Sequence, residues 1–177
     1  MPETSTTQPT PVSHFFFQGQ TLPVSITYLQ QKRSHLRIHE NFMQITICND
    51  LSHHQVKQQI QILLEKLYRQ SLTKVTTETL QLLQSHAHRH IKSIRIKKLR
   101  SRWGSASADG NLNFNLNLAK LPLEVQQYVI IHEYSHLFQM NHSAKFWDVV
   151  GRFDPEYKLH RRQLRHYEKT FREKHPQ

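Results

Sequence analysis

The stretch 122–140, PLEVQQYVIIHEYSHLFQM, constrains this chain more than any other. It reads as a helix opened by proline, whose missing N–H costs nothing in the first helical turn. Apolar side chains point in nearly every direction around it, so the helix has to be buried on most sides. Yet His132, Glu133 and His136 interrupt it, and polar groups taken out of water need partners. The fold must therefore enclose this helix and give those three side chains something to bind.

The three residues form an H-E-x-x-H pattern. Histidines four apart project from one helical face about a turn apart, a spacing that lets two imidazoles bind one Zn²⁺. Glu133 is rotated by roughly 100° from His132, close enough to reach a zinc-bound water without ligating the ion. Neutral imidazoles leave the ion its full charge, so bound water deprotonates near neutral pH. With 14 His and 9 Glu among 177 residues, chance supplies on the order of 0.05 such matches. The plainer alternative is a hydrogen-bonded pair of core histidines. A third ligand is sought downstream. His142 follows His136 with five residues between, and an unbroken helix would put it roughly 80–120° off the ligand face. The chain is therefore expected to leave the helix near Met140–Asn141, with Asn141 in the left-handed conformation that asparagine tolerates. Glu156 is the second candidate.

Residues 1–20, rich in Thr, Pro and Gln, read as a mobile tail, and 21–177 as the folded domain. Alternation of apolar residues from Leu22 to Cys48 predicts three strands in an antiparallel meander. Ser52 with Gln55 predicts a capping box opening a helix to about Gln70, followed by a second helix over 72–85. Strand periodicity returns at 91–99, and Asp109-Gly110 supplies a turn. The run Asn111–Leu118 then alternates strictly, with Leu and Phe on one face and four asparagines on the other. Asparagine is a poor strand former, and this run is the candidate sheet edge for holding an extended peptide, with Asn115 as a substrate-binding residue. Ser143 is the expected cap of a helix bearing Phe146, Val149, Val150 and Phe153. Asp154-Pro155 interrupts the chain before a final helix. Tyr157 and His160 are candidates by position for stabilising an oxyanion, and Asp148 for steadying a zinc-bound imidazole. His86, His88 and His90 alternate but have no accompanying carboxylate, and read as solvated.

The net charge is +11 with His neutral. Residues 92–102 contribute +6 and 158–177 contribute +5, so the remainder is balanced. Such local charge points to a polyanion-facing surface, nucleic acid in particular, although no groove-reading motif accompanies it. Four glycines, none close to another in the required spacing, exclude a glycine-cradled nucleotide site. No apolar run approaches a transmembrane length, so no membrane association is expected. One cysteine, Cys48, excludes an internal disulfide and a multi-cysteine metal site, which fits a cytoplasmic location.

The run HEYSHLFQMNHSAKFW, preceded by SRWGSAS, a turn and a strand ending in LNLAKLP, resembles the YgjP-like metallopeptidases. The resemblance is strongest over residues 93–160. These are zinc-dependent hydrolases of the zincin class, with SprT-type and Wss-type proteases as more distant relatives. It implies an α+β, zincin-like domain in which an antiparallel sheet packs on the H-E-x-x-H helix and C-terminal helices. It further implies His132, His136 and His142 as zinc ligands, Glu133 as catalytic base, Zn²⁺ as cofactor and a protein or peptide as substrate. The family has cysteine where Ala106 stands and leucine where Tyr134 stands; neither position is among the implied ligands. A nucleic-acid-associated protein using the basic segments 92–102 and 158–177 is the alternative from another class. Hydrolysis of a non-peptide bond, such as a nucleotide phosphoanhydride, is a third.

Overall fold

The structure, a computed structural model, describes residues 14–174. It is a mixed α+β fold of two sheets and four α-helices. Strands β1 (His14–Phe17), β2 (Gln20–Leu29), β3 (His35–Ile38) and β4 (Met43–Cys48) form the first sheet in the order β1-β2-β4-β3. The expected antiparallel meander is not what forms. β2 and β4 run parallel, Val24 opposite Met43 through Leu29 opposite Cys48, and β3 folds back antiparallel on the outer side of β4. Alternation dictates which side chains face the core, and Leu22, Val24, Met43, Ile45 and Ile47 are indeed buried. It carries no information about which strand lies alongside.

The boundary expected at residue 20 is also displaced. β1 pairs with β2, Phe15 opposite Leu22, so residues 14–20 belong to the domain; residues 1–13 of the expected tail lie outside the described residues. The hairpin turns at Gln18-Gly19, both at positive φ (47° and 79°), as a two-residue turn between right-twisted strands requires. Their amides donate to the carbonyls of Ala119 and Lys120.

The two helices expected over 52–85 are one, α1 (His53–His86). Nothing between Gln70 and Leu72 breaks it, and the buried stripe Leu64, Tyr68, Leu72, Val75, Leu80, Leu83 runs through the supposed gap. The capping box is present: Ser52 Oγ accepts from the Gln55 amide at 3.4 Å, and Gln55 Oε1 from the Ser52 amide at 2.8 Å.

The second sheet, β5 (Ser93–Lys97), β6 (Gly104–Ala106) and β7 (Asn111–Asn115), has the order β5-β7-β6. β5 runs parallel to β7 and β6 antiparallel to it, so this sheet too is mixed rather than antiparallel. β7 ends three residues before the expected Leu118. There Asn115 Oδ1 accepts from the Asn117 amide at 3.1 Å and starts a 3₁₀ turn over Leu116–Lys120, the local bonding that asparagine offers in competition with a strand ladder. Helices α2 (Leu123–Ser135), α3 (Ala144–Phe153) and α4 (Tyr157–Lys174) follow. α2 touches α1, α3, α4, β6 and β7, which is why it is apolar on nearly every side. Among the described residues, no helix is long and apolar enough to cross a membrane.

Candidate active site and metal centre

His132 and Glu133 sit in the last turn of α2, and His136 is its C-cap. The helix therefore ends sooner than Met140–Asn141. The Leu137 amide donates to the Tyr134 carbonyl, and those of Phe138 and Gln139 to that of Ser135, tightening the chain out of the helix. Asn141 is not among the described residues at positive φ, so the left-handed exit expected there is not used. The chain then returns His142 to the helix end. One nitrogen from each of His132, His136 and His142 lies within 4.8 Å of the others.

His136 is held from outside this point. His136 Nδ1 donates to the Gln139 carbonyl at 3.2 Å, which leaves its Nε2 lone pair free. His132 Nε2 and His142 Nε2 lie 3.1 Å apart, near the roughly 3.3 Å between two ligands of a tetrahedral ion bound at about 2.0 Å. His132 Nδ1 is buried with no hydrogen-bond partner. Burial first, then the neighbouring imidazoles, holds the His132 pKa down to about 3, and burial also lowers that of His136. Both shifts favour the neutral imidazole, the form that ligates a metal. Below the triad Phe146 is fully buried, with ring centroids 4.9, 4.6 and 4.8 Å from those of His132, His136 and His142. Trp147 stacks on His142 at 5.7 Å, and Tyr157 on Trp147 at 5.4 Å. A three-imidazole donor set of this size suits a divalent ion of zinc's preferences.

Glu133 is buried beside this group. Burial raises its pKa to about 7, and the charge of Arg102 pulls against that rise. β6 passes so close that a Cβ on Gly104 would lie 2.6 Å from Glu133 Cγ and 2.7 Å from Oε1. That contact is the physical reason for glycine after Trp103.

The other expected residues are placed differently. β7 is the middle strand of its sheet and so is not the edge expected there; the edges are β5 and β6. Trp103 O and Ser107 N bond to β7, which turns the main-chain groups of Gly104 and Ala106 away from it. Asn115 is buried, and its Nδ2 donates to the carbonyls of Leu99 and Arg102 at 2.9 Å each; its polar atoms hold the loop before β6. Glu156 is exposed and outside the metal-binding group. Asp148 is exposed and forms no bond to an imidazole among the described residues. His160 Nδ1 lies 2.8 Å from Asp154 Oδ2, while Asp154 Oδ1 accepts from the Glu156 amide, so this pair clips the start of α4. Ser143 stands at the N-cap of α3 but makes no capping bond, and its hydroxyl is buried unpartnered. His86, His88 and His90 are exposed.

A family model described as the YgjP-like metallopeptidase domain matches residues 2–167. The chain belongs to the YgjP-like family. As a YgjP-like protein it is a metal-dependent hydrolase of the peptidase class, acting on protein or peptide substrates. The match takes in the first sheet and α1 as well as the region around the triad. No curated protein matches this YgjP-like chain. Among solved structures it is similar to the metallopeptidase zymogen abylysin of Pyrococcus abyssi, at 22% identity and a TM-score of 0.44, covering 52% of this chain and 90% of that one. It is also similar to the zymogen jannalysin of Methanocaldococcus jannaschii, at 21% identity and 0.44, covering 56% and 89%.

Proposed function

We propose that this chain is a zinc-dependent peptidase in which His132, His136 and His142 hold the ion and Glu133 acts as general base. The observation that carries the reading is the convergence of three imidazoles, two of them with the neutral form favoured, next to one buried carboxyl. When bound, zinc supplies Lewis acidity to the scissile carbonyl and makes water a stronger acid. Glu133 Oε accepts a proton as the water oxygen attacks the carbonyl carbon. The same carboxyl delivers that proton to the amide nitrogen as the C–N bond breaks, leaving an acid and an amine. Gly104 and Ala106 of β6 offer main-chain groups to an extended substrate lying along that edge. Phe146 closes the triad from beneath and keeps water out of that side.

Metal analysis of the purified protein and its variants tests the assignment. About one zinc per chain is expected, lost in His132→Ala; near-normal zinc in that variant would sink the ligand set. Glu133→Gln is expected to keep zinc and lose turnover, and substantial residual activity excludes the base role.

A further inference from the structure

Two basic segments far apart in sequence approach the same site. The loop after β5 carries Arg102, and its main chain is fixed because Asn115 holds the carbonyls of Leu99 and Arg102. Leu99–Trp103 line one cavity of about 100 Å³ together with Glu168 of α4, so loop and helix face each other. From α4, Arg161 lays its guanidinium 4.5 Å from the centroid of Trp147, and Trp147 in turn stacks on His142. A guanidinium held over an indole is restricted in advance, and its fork of N–H donors fits a carboxylate. The charge of Arg161 is felt at His132, and that of Arg102 at Glu133.

Arg102 and Arg161 are both exposed, and among the described residues neither has a carboxylate within ion-pair distance. Two other charges nearby are matched. Lys98, in the same basic run as Arg102, lies 2.6 Å from Glu65, and Asp154 is committed to His160. Unmatched positive charge is thus gathered beside the reacting groups, where a substrate lies, and the first basic run is interrupted as a track for phosphates.

We infer that this site, on the peptidase reading above, selects peptide segments carrying an Asp or Glu side chain beside the scissile bond, with Arg161 and Arg102 receiving the carboxylate. Charge-assisted pairing to an arginine restricted in advance gives register as well as affinity. It also steers acidic segments toward the cleft at low ionic strength.

The test uses zinc-loaded, full-length protein carrying Glu133→Gln and dye-labelled peptides differing at one position: Glu, Gln or Lys. Fluorescence anisotropy should show the Glu peptide binding about tenfold tighter than the Gln peptide at low salt, with the advantage shrinking as salt is added. Arg161→Glu should reverse the order in favour of Lys, and Arg102→Glu, on a separate element, should do the same. Equal affinity for the three peptides overturns the inference whether or not any is cleaved. A single-stranded oligonucleotide of equal length that binds more tightly and displaces the Glu peptide also overturns it, in favour of a nucleic-acid surface. Turnover by the unsubstituted protein forms a separate arm. Cleavage of all three at equal kcat/KM keeps the peptidase and removes the selectivity. Glu-selective binding without cleavage keeps the selectivity and removes the peptidase.

Discussion

Gly104→Ala is the smallest substitution that tests how Glu133 is positioned. Its Cβ would stand 2.6 Å from Glu133 Cγ and 2.7 Å from Oε1, where ordinary contact begins at about 3.4 Å. One partner has to yield by about 0.8 Å. β6 is tied to β7 through Trp103 O and Ser107 N, so the carboxyl is the part expected to move. A misplacement near 1 Å costs about 10²-fold in rate, or about 2.7 kcal/mol of transition-state stabilisation. Gly104 is not among the glycines at positive φ, so alanine meets no backbone penalty and the effect is one of contact alone. The assay is kcat on a quenched fluorescent peptide with zinc content measured on the same sample. The expected result is a hundredfold fall in kcat with zinc retained. In the Glu133→Gln background the same substitution should add little, because the group it displaces no longer carries protons. A Gly104→Ala enzyme within about threefold of the unsubstituted rate, or one that loses zinc in step with activity, would refute the reasoning.

Tyr134→Phe should lower stability by about 1–3 kcal/mol with zinc content unchanged. Its hydroxyl donates to the Ala87 carbonyl at 2.6 Å and accepts from the Arg89 amide at 3.1 Å; an unaltered denaturation midpoint would show that those groups find other partners. Phe146→Ala removes the ring beneath the triad and should cost about 3–5 kcal/mol together with zinc affinity, measured by chelator competition. Retained affinity would mean the histidines keep their arrangement unaided. Stripping the metal should lower the melting temperature reversibly, removing about 4 kcal/mol of stability relative to a free zinc level a thousandfold above Kd; a melting curve indifferent to chelator contradicts a metal held by the native fold.

The triad was legible because the chemistry of a buried helix end is local. His132, Glu133 and His136 are fixed by helical spacing, and the return of His142 needed only a chain exit between. The place of that exit was not legible, since the tightening at Tyr134–Gln139 is made of backbone bonds that any sequence can form. Strand partners were lost for a related reason. The alternation of β2 and β4 marks inward faces, whereas their parallel pairing is decided by the path through β3. Alternation with leucine made Asn115 a candidate for substrate binding, and it gave no sign that the residue is buried and feeds hydrogen bonds to a loop. The continuity of α1 was readable from the stripe through Tyr68 and Leu72, but irregular spacing beyond it suggested a break.

Helix α2 carries many polar groups for a buried element, and several of them find partners. Gln126 Nε2 donates to the Leu121 carbonyl, Ser135 Oγ to that of Ile131, and Tyr134 to the segment joining α1 and β5. Glu133 faces Gly104. His132 and His142 differ, because the polar neighbour of each Nε2 is the other. The Nε2 atoms of His132 and His142 lie 3.1 Å apart, a separation that is repulsive unless a proton or a cation lies between. Burial works against an added proton on His132, whereas a cation would meet all three rings at once. The burial that makes His132 and His136 costly in an apolar helix therefore disfavours their charged forms, which is the condition a metal ligand requires.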